Sequence, residues 1–133
     1  MRDCIFCGIA AGRQTAERLL ETGKVLAFLD IAPVHYGHTL IIPKLHYRNL
    51  LDLPDDLWLE MGQVCRRVAQ ALRAAFHAQG FNLGMNNFAA AGLASKRHPD
   101  SRQQLVEAER LGEVVVGAFI ERLDLLLVIA DRA

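Results

Sequence analysis

The sequence predicts one α+β domain, because short strand-like segments are combined with a single long amphipathic helix. Its 133 residues suit one compact domain and are few for two. Segments 18–21 and 24–30 have strand character, and Thr22-Gly23 between them suits a tight hairpin turn. Segment 39–42 is apolar and β-branched, and Pro43 ends it. Together these segments predict a sheet.

The predicted helix follows the strands and is the clearest element. Its apolar residues recur at steps of three and four, the stripe of an amphipathic helix. They are Leu57, Met61, Val64, Val68, Leu72, Ala75 and Phe76. Pro54, Asp55 and Asp56 suit the first turn, and Gly80 suits the stop. Segment 81–85 then predicts another strand, followed by a loop of small residues over 86–92.

The character of the chain changes after Gly92. Segment 93–102 is polar and irregular. Segment 103–127 is compatible with a helix, whereas 114–120 and 125–129 are also compatible with a pair of strands, because short apolar runs fit both. We favour a helix over 101–112 and leave the rest open.

The composition excludes several classes of protein. Fifteen basic residues balance fifteen acidic ones, so no global field draws the chain to nucleic acid or to an anionic membrane. No apolar run approaches the ~20 residues of a membrane span, and the first residues lack the apolar core of a signal peptide. Three cysteines, an odd number, argue against a disulfide framework. We therefore expect a cytoplasmic protein without nucleic-acid or membrane partners.

The loop over 30–38 is a candidate binding element because it joins two predicted strands. The carboxylate of Asp30 can accept hydrogen bonds from ribose hydroxyls, and the flanking Phe28 and Ile31 can sandwich a flat base. An aspartate in such a loop is more often a turn former. The loop alone leaves both interpretations open.

A longer series of segments resembles the histidine triad (HIT) family. It comprises Cys4-x-x-Cys7, residues 27–33, residues 37–46, the long helix, and residues 82–92. The order and spacing match the N-terminal half of that family. The resemblance implies a HIT-like five-stranded antiparallel sheet with one long helix, usually paired into a two-fold homodimer. It also implies that residues 1–92 form a nucleotide-binding body and that 93–133 are a divergent C-terminal segment of the same domain.

The resemblance also implies a purine nucleotide ligand of the AMP or GMP type. By position, Phe28 and Ile31 would hold the base and Asp30 the ribose. His38 and Asn86 would lie beside the phosphate or the catalytic centre. Gly92 would keep the phosphate loop open.

The catalytic motif of the resembled family is missing. In that family a histidine attacks the α-phosphate of a phosphoramidate or dinucleoside polyphosphate, and water then releases the monophosphate. The His-x-His-x-His strand should begin about five residues after Gly92, but Arg97, Pro99 and Ser101 occupy its three positions. His98 is one residue out of register, which in a strand turns it to the opposite face.

The missing motif predicts a nucleotide-binding protein with impaired catalysis. One alternative is an active hydrolase with a rearranged centre that uses His98 or His38 as its catalytic residue. Another is a zinc-binding or partner-binding protein with a replaced C-terminal tail. The sequence indicates no organic cofactor.

Cys4-x-x-Cys7 is ambiguous by itself, since such a pair can be half of a zinc site, a redox pair or two buried thiols. Some bacterial members of the resembled family combine the pair with the histidine of a Pro-Lys-x-His segment, here His46. Arg97 stands at the fourth ligand position and cannot bind a metal, so His98 or water would have to complete a tetrahedron. Cys65 falls near the helix stripe and is predicted to be a buried packing residue.

Overall fold

The computed structural model describes residues 4–33, 37–85 and 87, and the backbone of 125–130. Over these described residues the chain forms a short helix, α1 (Ile5–Ala10), a long helix, α2 (Asp55–Phe76), and five strands. The strands are β1 (Arg18–Glu21), β2 (Val25–Leu29), β3 (Thr39–Pro43), β4 (Gly80–Gly84) and β5 (Leu125–Ala130). The strands form one sheet in the order β1-β2-β3-β5-β4, and each neighbouring pair is antiparallel. The predicted α+β class with an antiparallel sheet and one long helix is confirmed.

Strands β2 and β3 form the buried part of the sheet. Consecutive side chains of a strand point to opposite faces, so a strand covered on both faces is apolar at every position. All of β3 and the first four residues of β2 are buried. One face packs against α2 through Val25, Ala27 and Ile41, and the other packs against α1 through Leu26, Phe28, Leu40 and Ile42.

Helix α2 buries the first part of the predicted stripe. Leu57, Met61, Val64, Val68 and Leu72 are buried, and so is Cys65, as predicted. Ala75 is exposed and Phe76 is 39% exposed, so the end of the predicted stripe is wrong. The helix stops before Gly80 because His77 adopts the left-handed conformation at φ 52°, and Gly80 starts β4 instead.

Strand β5 fills the position between β3 and β4. Leu127 lies opposite Thr39 of β3 and opposite Leu83 of β4. The sequence of 125–129 was compatible with both a helix and a strand, and in the structure this segment is a strand. The predicted helix over 101–112 and the alternative strand over 114–120 lie outside the described residues. Among the residues that are described, no helix is long and apolar enough to cross a membrane.

Candidate functional site

The loop between β2 and β3 is closed by Asp30. Its backbone N–H donates to the His38 carbonyl at 3.0 Å, because β2 and β3 are antiparallel neighbours. Its Oδ1 accepts from the backbone N–H of Ala32 at 3.0 Å, the local bond of an aspartate turn. The turn-forming interpretation of Asp30 is therefore confirmed. The other oxygen, Oδ2, lies 3.2 Å from His38 Nε2.

His38 is a buried imidazole at the base of this loop. Its side chain is 5% exposed, whereas that of Asp30 is 23% exposed. Burial lowers the pKa of His38 from its ordinary value of 6.5, because the charged ring would lose hydration, and the negative charge of Asp30 acts in the opposite direction. Burial is the stronger effect, so the ring is neutral near pH 7. The contact at 3.2 Å then joins a carboxylate to a neutral ring rather than to an imidazolium.

The two residues predicted to hold a base lie in very different surroundings. Phe28 is 3% exposed, and its ring packs on Phe6 at a centroid distance of 6.1 Å and an interplanar angle of 42°. Ile31 is 97% exposed. They do not enclose a slot by themselves. Phe28 can form only the floor of a base site, whereas Ile31 is an apolar side chain that a bound ring would cover.

Other predicted site residues are not described. Asn86, Gly92 and His98 lie outside the described residues. Their neighbour Asn87 is described, and its Oδ1 accepts from the Leu50 backbone N–H at 2.7 Å. This bond ties the segment after β4 to the 3₁₀ turn Leu50–Asp52. No role was predicted for Asn87, and the only feature that could have indicated one is its place in the loop of small residues.

Phe6, which stands between the two N-terminal cysteines, was not predicted to be a site residue. It is 5% exposed and packs on the predicted base residue Phe28. The only feature of the sequence that could have indicated it is the aromatic residue inside Cys-Ile-Phe-Cys. Phe28, on which it packs, lies 22 positions further along the chain.

A thiol–imidazole cluster, formed by Cys4, Cys7 and His46, lies at the N-terminus of α1. One ligand atom from each residue lies within 4.8 Å of the others, and Cys7 Sγ is 3.4 Å from His46 Nδ1. Cys4 occupies the N-cap position of α1 without a side-chain capping bond, and Cys7 is three residues further on, so both thiols lie on the same side of the helix. His46 comes shortly after β3 ends. All three residues are half-buried.

The donor set fits a zinc ion. Tetrahedral Zn²⁺ takes thiolate and imidazole ligands at about 2.3 and 2.0 Å, which separates sulfur from nitrogen by about 3.6 Å and sulfur from sulfur by about 3.8 Å. The separation of 3.4 Å between Cys7 and His46 is already close to that spacing. The cluster supplies three of the four ligands of such a site. Cys65, by contrast, is buried, which raises its pKa to about 12.

Comparison with known proteins identifies the fold family. A sequence model of the HIT domain matches residues 11–96. Protein hit of Bacillus subtilis is 41% identical over 90 residues, which are 68% of this chain and 62% of that protein. The adenylylsulfatase HINT3 of Arabidopsis thaliana is 40% identical over 90 residues, 68% of this chain and 46% of the relative. The adenosine 5'-monophosphoramidase HNT1 of Candida albicans is 36% identical over 88 residues, 63% and 58% of the two chains.

Solved structures agree with these relatives. A HIT family protein of Bacillus anthracis superposes with a TM-score of 0.74 at 30% identity, covering 96% of this chain and 73% of that one. A Zn-bound histidine triad family protein of Mycobacterium smegmatis gives a TM-score of 0.74 at 30% identity, covering 98% and 76%. The chain spans about three fifths of the length of the first curated relatives that it matches. Because the HIT domain match extends over more than half of the sequence, the chain belongs to the HIT family.

Proposed function

We propose that the protein binds a purine nucleotide, that it derives from nucleoside phosphoramidate or dinucleoside polyphosphate hydrolases, and that its catalysis is impaired. The observation that carries the proposal is the Asp30–His38 pair beside Phe28, at the point where β2 and β3 meet. Two relatives bear the names of enzymes that act on adenosine compounds, an adenylylsulfatase and an adenosine monophosphoramidase. In this proposal residues 1–92 form the nucleotide-binding body, and 93–133 are a divergent segment of the same domain.

Each side chain of the loop has a role in this proposal. Asp30 keeps an accessible carboxylate whose oxygens can accept from ribose hydroxyls, since its turn bond uses only one lone pair of Oδ1. Ile31 would cover one face of the base, and removing this exposed side chain from water favours binding. His38, kept neutral by burial, would lie beside the phosphate and position the Asp30 carboxylate through the 3.2 Å contact at its Nε2. Asn86 and Gly92 would complete the phosphate side.

The proposal of impaired catalysis rests on the residues available to attack phosphorus. The chain has five histidines, and no two of them are separated by a single residue, so no His-x-His-x-His motif exists. The strand between β3 and β4 has the sequence Leu-Leu-Leu-Val-Ile-Ala, in which no side chain is a nucleophile or a proton carrier. Nucleotidyl transfer needs both functions.

Calorimetric titration with AMP and GMP tests the binding proposal. We expect measurable binding that weakens about 10- to 100-fold in Asp30→Ala, because charge-assisted hydrogen bonds contribute about 1.5–3 kcal/mol each. Asp52→Ala is the matched control, since Asp52 is an exposed aspartate of the 3₁₀ turn, and its affinity should equal that of the wild type. Absence of binding at millimolar nucleotide would refute the proposal.

Turnover of an adenosine phosphoramidate tests the proposal that catalysis is impaired. We expect no release of AMP above the uncatalysed rate. If turnover occurs, His38→Ala and His98→Ala decide whether either histidine serves a rearranged centre. Turnover that either substitution abolishes would replace the proposed impairment with an active hydrolase.

We further propose that the thiol–imidazole cluster binds zinc in a reducing, cytoplasmic environment, where its thiols persist. The support is the fit of the ligand spacing and the Zn-bound relative of known structure. When bound, the ion would be held by Cys4, Cys7 and His46 and would join α1 to the chain after β3. Metal analysis should find one zinc per chain, lost in Cys7→Ser and retained in Cys65→Ala. Equal metal content in both variants would contradict the site.

We also propose a homodimer that forms along β4. In the described part of the sheet β4 has a neighbour on one side only, and Phe81 and Leu83 on this edge are 43% and 49% exposed. An open strand edge with apolar side chains favours pairing with a second copy. Light scattering should give twice the chain mass of 14.8 kDa. Leu83→Lys should yield a monomer, whereas Leu19→Lys on the opposite edge strand β1 should not; a dimer that survives Leu83→Lys would exclude this edge.

A further inference from the structure

Helix α1 connects the thiol–imidazole cluster to the floor of the nucleotide site. Cys4 and Cys7 flank Phe6 in the sequence, and the Phe6 ring packs on Phe28 at 6.1 Å. Both rings are almost fully buried in the same apolar cluster. A displacement of the N-terminal turn of α1 would therefore move the ring that supports Phe28.

The position of α1 depends on contacts with the rest of the domain. The helix has six residues, no side-chain cap and no charged residue that complements its dipole, so it is too short to be stable alone. Near its C-terminal end, Arg18 Nη2 donates to the Ile9 carbonyl at 2.8 Å. Near its N-terminal end, Cys7 contacts His46 at 3.4 Å. A metal ion in the cluster would turn this second contact into a cross-link between α1 and the chain after β3.

We propose that metal binding at the thiol–imidazole cluster and nucleotide binding at the Phe28–Asp30 loop are coupled through Phe6, so that each ligand strengthens the binding of the other. This inference rests on the nucleotide and zinc sites proposed above. The physical reason is preorganisation. Phe6 already packs on Phe28 without a metal, and a cross-linked α1 would further restrict the motion of this packed pair, so the nucleotide would bear less of the cost of holding it in place. Phe6 is in this sense a positioning residue.

The expected coupling has a size and a symmetry. Coupling between sites typically changes affinity by about 5- to 150-fold, and the change must be the same in both directions. We expect a factor near the lower end, of about 5 or more, because the metal would restrain one short helix that is already formed. AMP should raise the affinity for zinc by the factor by which zinc raises the affinity for AMP.

The experiment measures both affinities on the full chain. AMP is titrated by calorimetry into reduced, metal-free protein and into zinc-loaded protein, and zinc affinity is measured against a chromophoric chelator with and without AMP. Equal factors of about 5 or more support the coupling. Binding of both ligands with unchanged affinities overturns the coupling and leaves the two sites intact. Absence of AMP binding in both metal states overturns the proposed function itself, and the coupling with it.

Adenosine separates the route through Phe6 from a direct contact between metal and phosphate. Adenosine lacks the phosphate but keeps the base, so it should show the same factor as AMP. A factor seen with AMP alone would mean that phosphate approaches the metal, and would overturn the route through α1.

Variants of Phe6 test the path. Phe6→Ala should reduce the factor to about 1, and Phe6→Leu should restore most of the factor. Phe76→Ala, an aromatic truncation at the end of α2, should leave the factor unchanged. A factor that persists in Phe6→Ala would overturn the role of this residue. Should Phe6→Ala fail to fold, Phe6→Leu is compared with the wild type instead: a smaller factor than in the wild type supports the role of Phe6, and an equal factor overturns it.

Discussion

The buried imidazole of His38 should make the protein less stable in acid. Its pKa in the folded protein is lowered from 6.5 by burial, whereas in the unfolded chain it keeps its ordinary value. Between these two pKa values the unfolded chain binds one proton more, so the free energy of unfolding falls as the pH falls. This contribution is fully present above about pH 6.5 and is lost as the pH falls through the lower pKa of the folded protein. For one proton the maximal slope is about 1.4 kcal/mol per pH unit.

Urea unfolding at several values between about pH 5 and pH 8 measures this effect. The wild type is compared with His38→Gln, which cannot be protonated, so that the difference isolates His38 from the other titrating groups. The variant should be less stable at neutral pH, and the gap to the wild type should narrow in acid. Parallel stability curves for the two proteins would refute the argument, because they would show that His38 takes up its proton equally in both states.

The same urea experiment on Asp30→Asn tests the effect of the Asp30 charge on His38. Asparagine can keep the turn bond to the Ala32 N–H through its side-chain oxygen but removes the charge that favours the protonated ring. The pKa of His38 in the folded protein should therefore fall further. The free energy of unfolding should then continue to decrease down to a lower pH than in the wild type. A loss that moves to higher pH would contradict the assigned electrostatics.

Three further predictions concern the core, the thiols and the end of α2. Met61 is fully buried between α2 and the sheet, so Met61→Ala should lower the free energy of unfolding, measured with urea, by about 2–5 kcal/mol. Leu59 is 66% exposed, so Leu59→Ala should lower it far less. Equal decreases in the two variants would contradict the packing. Cys4 and Cys7 should react with a thiol reagent before Cys65, whose pKa is about 12, and zinc should slow the first two; equal rates for all three thiols would contradict this. His77→Gly should raise the free energy of unfolding by about 0.5 kcal/mol, measured by thermal unfolding, because glycine adopts a φ of 52° without strain. The control Gln79→Gly should not raise it. A loss of stability in His77→Gly would contradict the strain argument.

The sequence predicted the fold well where a helix, strand or turn is determined by residues close together in the chain. The turn at Thr22-Gly23, the strand after His38 and the stripe of α2 all follow from spacing and turn chemistry within a few residues. The end of α2 did not, because the helix is ended by His77 in the left-handed conformation, which residues other than glycine seldom adopt. Glycine at position 80 was the stronger local signal, yet it begins a strand.

The candidate site was predicted less completely, because its geometry depends on residues far apart in the sequence. Asp30 and His38 were both identified, but their contact at 3.2 Å follows from the pairing of β2 with β3. Phe28 was expected to hold the base together with Ile31, whereas in the structure its ring packs on Phe6 of α1. No pattern inside the loop indicates that contact. The proximity of Cys7 to His46, 39 positions apart, was indicated only by resemblance.

Strand β5 shows why membership of a fold and possession of a chemistry are separable. An antiparallel strand is held by backbone N–H and C=O groups, which every residue except proline supplies, so the apolar segment 125–130 can occupy the place between β3 and β4. Catalysis depends instead on particular side chains at alternate positions of a strand. Under the proposed function, a segment can therefore maintain the sheet that positions Asp30 and His38 while it contributes no nucleophile. Replacing a residue of β5 by histidine would on this reasoning not create activity by itself, because the tautomer-fixing partner and the phosphate donors must be positioned as well.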